Sequence, residues 1–478
     1  MRGVASRYCG GVATAEVSGP TAFAVTPDRL SLRRLTLLSL YWVAIGYLWN
    51  SIGAQVLPPI IRGFVGQAHQ GTALSVLEST GTLIAVFWQP VIGALSDRTT
   101  IAWGRRRPYI ASGAVGSALF LVLMAFVGSY FWLFAVYFLL QLASNTAQGP
   151  YQGLLPDVVP DADLGTAGAF YGLGNLFGTL VGFVVVGIFT SHGRYDLAFY
   201  SMAAMLLATM VLTVTLVPDD ARPAPGLKLH LAEVTLGTFK VSPRRYGNFL
   251  WLMGSRLLIL MGIVGLETFA NFFFKDVFYP GSRSHATDQA NTATTYLLAV
   301  IVVLALLVSY PAARLSDRVG RKPLVVACAA LGGIGTLGLV FAHFTLIPAA
   351  LTSPLASLLD VPRGLAQVLC FGVLIGVATG SFLSVDWAFT IDVIPRDEAG
   401  RFLGFSNIAT AGAGIIARFI AGPILDHFNA GAHILGVLGG YPVVFGMFVV
   451  FFIAGGFLVL PVRERARAVS GARTSSHP

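Results

Sequence analysis

The chain has 478 residues, 55% hydrophobic and only 11% charged, with a formal net charge of +9. Soluble domains average roughly 25% charged residues, so this composition argues against a water-covered surface and for one that faces lipid. Three scattered cysteines (Cys9, Cys328, Cys370) without CxxC spacing argue against a disulfide framework or zinc site. The positive charge falls in short segments between apolar runs, so a lipid bilayer rather than a nucleic acid is the expected partner.

Residues 1–34 hold five arginines and no apolar run. They are expected to form a cytoplasmic N-terminal tail rather than a cleavable signal. A spanning helix needs about 20 mainly apolar residues. Such runs lie near 36–60, 73–96, 109–127, 131–155, 166–189 and 197–217, and again near 248–274, 293–313, 324–348, 366–391, 402–425 and 441–461. The polar stretch 218–246 divides them six and six. The expected organisation is a tail (1–34), a six-helix half (35–217), a cytoplasmic linker (218–246), a second six-helix half (247–462) and a C-terminal tail (463–478). With the N-terminus inside, 24 of the 31 lysines and arginines fall in inner segments, five in outer ones, and two (Arg256, Arg418) within spans. That asymmetry places both termini in the cytoplasm of a protein crossing the cell (plasma or inner) membrane.

The halves repeat each other. GALSDR (93–98) and GRRRP (104–108) follow the second run, and ARLSDRVGRKP (313–323) follows the eighth. DVVPDADLG (157–165) follows the fourth, and DVIPRDEAG (392–400) the tenth. Parallel six-helix repeats of this kind are a common transporter architecture.

Catalytic patterns such as GxSxG, HExxH and a phosphate-binding loop are absent from the sequence. No enzyme activity, cofactor or metal is expected, and active transport would draw on a cation gradient, of protons or sodium. Gln141, Asn145, Gln148 and Gln152 recur at i, i+4, i+7 and i+11, on one helical face. Amides are costly in hydrocarbon, so this stripe faces either a solute pathway or a neighbouring helix, where it would act as glue. Asn50 and Gln55 on the first run, Asn175 on the fifth and Asn271 on the seventh are further pathway candidates. Amides both donate to and accept from hydroxyls, which suits a small neutral polyol.

Charges inside spans are rarer and mark function. Arg256 and Asp386 lie roughly 12 and 9 Å from the inner ends of their helices at ~1.5 Å per residue, so they are expected to pair and to belong to the pathway. Glu267 lies near the outer end, at a height similar to Arg418 and Glu78. These five are the candidates for ion pairing or cation coupling.

The paired loops resemble the major facilitator superfamily, whose signature between spans two and three reads GxxxDR followed by G-R-[RK]. The resemblance covers roughly residues 35–462 and implies an all-α membrane protein of twelve transmembrane helices in two six-helix pseudo-repeats. It also implies an inner gate built from Gly93, Asp97, Arg98, Arg105, Arg106 and Arg107, and from Asp317, Arg318, Arg321 and Lys322. More narrowly, 89–110, 145–157 and 169–182 resemble the sucrose and related glycoside–cation symporters. That resemblance implies a sugar or glycoside moved by alternating access with a coupled cation, in a monomer. It places Gln141 and Gln152 where those symporters carry a proton-taking aspartate and a sugar-holding arginine, so a titrating group at position 141 is missing. The alternative is an exporter of a hydrophobic metabolite or drug, although span five lacks the Gly-Pro signature typical of drug antiporters. A membrane enzyme or receptor without transport is the remaining alternative.

Overall fold

A chain in hydrocarbon must satisfy its backbone hydrogen bonds internally, and this one does so almost entirely through helices. The computed structural model describes residues 31–159, 164–219, 243–281, 284–393, 399–431 and 433–464. Helix α1 (Leu32–Val65) is capped by Ser31, whose hydroxyl accepts from the Arg34 amide, and passes through a π turn at Ile52–Val56. Then follow α2 (Gln70–Asp97), α3 (Arg107–Met124), α4 (Tyr130–Val158), α5 (Leu164–Ser191) and α6 (Tyr195–Leu216). Helix α7 (Pro243–Phe273) ends in a second π turn, Phe274–Phe278. The rest are α8 (Ser284–Val319), α9 (Arg321–Val340), a short α10 (Ala349–Leu359), α11 (Arg363–Val393), α12 (Ala399–Asn429) and α13 (Gly440–Leu458). A two-residue hairpin, His433–Ile434 with Val437–Leu438, joins the last two.

Among the described residues, twelve helices are long, and eleven of them are also apolar enough to cross a membrane. The exception is α4, whose hydropathy is lowered by its amide stripe. The short α10 was not anticipated: the ninth apolar run ends at Val340 rather than 348, and the chain turns into a separate helix before α11. Most of the expected linker and both tails lie outside the described residues.

Small residues set the closest packing. A Cβ at Gly178 would lie 2.0 Å from the Val43 carbonyl oxygen, and one at Gly182 2.4 Å from Ser51 Oγ. These positions must therefore be glycine for α5 to lie against α1. Gly168 and Gly172, from the same glycine series, meet nothing within 4 Å. Helices α1–α6 pack chiefly on one another, as do α7–α13, and the long contacts between the sets are α2 with α12 and α5 with α8. Large apolar side chains such as Phe87, Phe177, Leu307 and Phe457 are exposed, as a lipid-facing belt requires.

Candidate functional site

A cavity of about 310 Å³ lies between the two helix sets. Its α4 wall carries Tyr137, Gln141, Asn145 and Gln148, and its α1 wall carries Trp49 and Asn50. The stripe is a hydrogen-bonded ladder: Gln141 Nε2 donates to Tyr137 Oη (3.0 Å), and Asn145 Nδ2 donates to Gln141 Oε1 (3.1 Å). Gln89 of α2 completes it by donating to Asn145 Oδ1 (2.6 Å) and to Gln148 Oε1. The same amides thus tie α4 to α2 and face the cavity. Gln152, one turn further on, is exposed and is not part of the lining. Asn50 donates to Thr179 Oγ1 at 2.8 Å, and Trp49 stands edge-on to Tyr137 with ring centroids 6.2 Å apart.

The cavity lining is also charged. Arg418 of α12 pairs with Glu78 of α2 at 2.9 Å and donates to Thr82 Oγ1 at 3.2 Å. This ion pair bridges the two helix sets at the cavity itself. Glu267 of α7 also lines the cavity and feels the Arg418 charge, but forms no ion pair or hydrogen bond among the described residues. Two carboxylates therefore share one guanidinium, which is bound to the other carboxylate.

Arg256 and Asp386 form a buried ion pair at 2.6 Å between α7 and α11. The guanidinium also donates to Thr410 Oγ1 (2.9 Å) and lies 5.4 Å from the Trp387 ring centroid. The pair is not part of the cavity lining. Nor is Asn175, whose carbonyl lies against Gly46. Gln55 and Asn271 are buried where the helix sets meet. Gln55 donates to Thr295 Oγ1 (2.8 Å), and Asn271 donates to Asn291 Oδ1 (2.9 Å).

At the end bearing the Asp-Arg loops, the sequence repeat is an atomic repeat. Arg106 pairs with Asp97 (2.6 Å) and Asp157 (2.9 Å) and donates to Ser96 Oγ (2.7 Å). Arg321 makes the matching contacts with Asp317 (3.6 Å), Asp392 and Ser316 Oγ (3.1 Å). The carboxylate of Asp219, just after α6, accepts from the amides of Arg106 and Arg107 at 2.8 and 2.9 Å, capping α3. Glu464, just after α13, accepts from the Lys322 amide and caps α9 in the same way. Arg105 joins Asp157, and Arg107 donates to the Val217 carbonyl. Arg98 and Arg318 are exposed, and a Cβ on Gly93 would meet nothing within 4 Å. Sequence reasoning missed Gln89, Asp219 and Glu464. Only the recurrence of an acid just after the sixth and twelfth runs signals the two caps.

Among the described residues, Arg106, Arg107 and Arg321 bond within their own helix sets, and bonds joining the sets are seen at mid-height and at the far end. There Arg62 pairs with Asp276 (2.6 Å), which also accepts from Gln70 Nε2 (2.9 Å) and from Tyr441. Asp426 of α12 accepts from the Gly71 and Thr72 amides at the start of α2, at 2.9 and 2.8 Å. The structure is thus closed at the far end. Asp97 is 39% exposed, which limits its pair with the buried Arg106 to about 1 kcal/mol, so Asp97→Asn should slow transport by about fivefold with membrane levels near normal. Asp317 is 65% exposed, and exposed pairs contribute about 0–1 kcal/mol, so Asp317→Asn should slow it by less than about fivefold. Equal rates for the two variants and the parent in proteoliposomes would remove the switching role from this loop.

A polar, charge-bearing cavity between two packed sets of long apolar helices, closed at one end, is the arrangement of a multi-pass membrane protein. A family model, the Major Facilitator Superfamily, matches residues 43–418 and 297–477, and the chain belongs to that family. It is similar to the sucrose transport protein SUC4 of Arabidopsis thaliana, 25% identical over 272 residues, covering 50% of this chain and 52% of the relative. It is also similar to the human proton-associated sugar transporter A, 30% identical over 169 residues, covering 30% of this chain and 23% of that one. The matched stretches span about half or less of the length of these curated relatives. Among solved structures, the nucleoside transporter NupG (16% identity, TM-score 0.64, covering 90% of this chain and 98% of that one) shares the fold. So does a D-xylose-proton symporter (16%, TM-score 0.62, 90% and 98%).

Proposed function

We propose that the protein is a secondary transporter of a neutral, hydroxyl-rich solute, a sugar or glycoside, coupled to a proton or sodium gradient. The observation that carries this is a cavity lined by hydrogen-bonded amides together with Glu267, a carboxylate that forms no ion pair among the described residues. Amides present both donors and acceptors to hydroxyls, and the aromatic edge of Trp49 offers an apolar surface to a sugar ring. The cavity sits at the low end of the ~300–1,000 Å³ common for small-molecule sites, which suits a mono- or disaccharide. The curated relatives named for sucrose and for proton-associated sugar transport support the same substrate class. The surplus carboxylate disfavours anionic solutes and gives a cation a place to bind.

In this reading the protein works as a monomer in the cell membrane, with the two six-helix halves rocking about the cavity. The basic Asp-Arg loops and both termini lie in the cytoplasm, which makes the present structure inward-facing. The experiment is uptake of radiolabelled sucrose, maltose and glucose into proteoliposomes with and without an imposed proton or sodium gradient. Losing one or two amide–hydroxyl bonds, at about 1 kcal/mol each, should raise the KM of Gln148→Ala roughly 5- to 30-fold. No uptake of any sugar above that of empty vesicles would reject the substrate class.

A further inference from the structure

Two seams close the far end, and they differ in chemistry. The α2–α12 seam is ionic, with Glu78–Arg418, and Asp426 on the start of α2. The polar contacts of the α5–α8 seam are neutral amides and hydroxyls, set beside an apolar cluster of Phe183, Leu298 and Val302. Gln55 projects into it from the π turn of α1 and is fully buried, with its Nε2 shared between Thr295 Oγ1 (2.8 Å) and the Phe183 carbonyl (3.0 Å). Its Oε1 is buried and has no hydrogen-bond partner among the described residues. One level further, Asn291 of α8 donates to the Thr190 carbonyl of α5 at 2.8 Å. The backbones are close here: a Cβ at Gly187 would lie 2.2 Å from Thr295 Oγ1.

Because this seam joins the two helix sets, it must part when the far end opens. Gln55 then loses Thr295, and Asn291 loses Thr190, while the Gln55 carbonyl already lacks a donor. On parting these groups meet water, and a ligand that both donates and accepts at several points can replace that water bond for bond. We propose that Gln55 and Thr295 form a second, transient subsite for the hydroxyl-rich solute, exposed only when the far end is open and erased by closure. This rests on the solute reading above. The subsite explains why a hinge-bearing π turn carries a glutamine instead of an apolar residue. It also makes seam closure compete directly with solute bound at the far end, handing the solute inward to the α4 ladder.

The test uses the full chain with Cys9, Cys328 and Cys370 replaced, carrying Thr295→Cys, Gln55→Cys, Gln148→Cys or Ser75→Cys singly. A membrane-impermeant maleimide is applied from the far side, with sucrose, maltose or glucose present or absent. Ser75 lies in the ionic seam, where its hydroxyl is buried against Gly422, so it reports opening alone. The expected result is that a sugar protecting Gln148→Cys also slows labelling at Thr295→Cys or Gln55→Cys by about fivefold, one hydrogen bond's worth, but not at Ser75→Cys. Equal protection at positions 295, 55 and 75 means the sugar only shifts the opening equilibrium, and overturns the subsite. Labelling at 295 and 55 that is absent, or unchanged while position 148 is protected, overturns it too and leaves the central cavity standing. Failure of every sugar to protect position 148 overturns both the cavity reading and the subsite.

Discussion

Asp386→Ala is expected to remove most of the folded protein from the membrane, and the exchanged pair Arg256→Asp with Asp386→Arg to restore part of it. Both side chains are about 5% exposed or less. Truncating one partner of such a pair leaves a buried uncompensated charge, at about 3–5 kcal/mol. Arg256 would retain Thr410, Thr390 and the Trp387 ring, but neutral acceptors do not cancel a full charge in a low-dielectric interior. Exchange restores neutrality without the threonine contacts, so recovery is partial. Membrane abundance and thermal stability in detergent read the effect. Parent-like stability of Asp386→Ala would show that water reaches the pair, and a double variant no better than the singles would show that the pairing is not what stabilises it.

Glu267→Gln is expected to abolish gradient-driven accumulation while leaving downhill exchange of the same sugar largely intact. The carboxylate opens to the cavity and its nearest cation, Arg418, is already bound to Glu78. In the proposed function it would take up a proton or sodium ion and release it as the cavity changes sides. Glutamine keeps the shape and hydrogen-bonding capacity but holds no charge, so sugar binding survives and the energetic link does not. A coupled cation alters solute affinity by typically 1–3 kcal/mol, so accumulation should fall at least about fivefold. Measuring accumulation and counterflow on the same vesicles separates the two. Loss of both in parallel would mark Glu267 as a solute-binding or structural residue, and loss of neither would move coupling to Glu78 or remove it.

Much of this was legible before any coordinates. Apolar run length gave the helices, because a bilayer of fixed thickness demands it. Rise per residue put Arg256 and Asp386 at one height, and they pair. The same reasoning put Glu78, Glu267 and Arg418 at one height but could not choose among them. Height comes from sequence, whereas the side a residue faces depends on how its helix is rotated against its neighbours. Rotation also decides the fate of the pathway candidates. Gln141, Asn145 and Gln148 keep to the cavity, Gln152 sits beyond it, and Gln55 and Asn271 turn into the joint between helix sets. The capping acids were hidden because Asp219 and Glu464 stand in stretches that read as linker and tail.

Those caps bear on how force travels through the molecule. The acid after each set's last helix returns to the start of that set's third, so in each set the third helix is latched to the last at its own loop face. The contacts of each latch lie within its own set. Work done at the far-end seams is therefore delivered to two stiff bodies and spent on the angle between them.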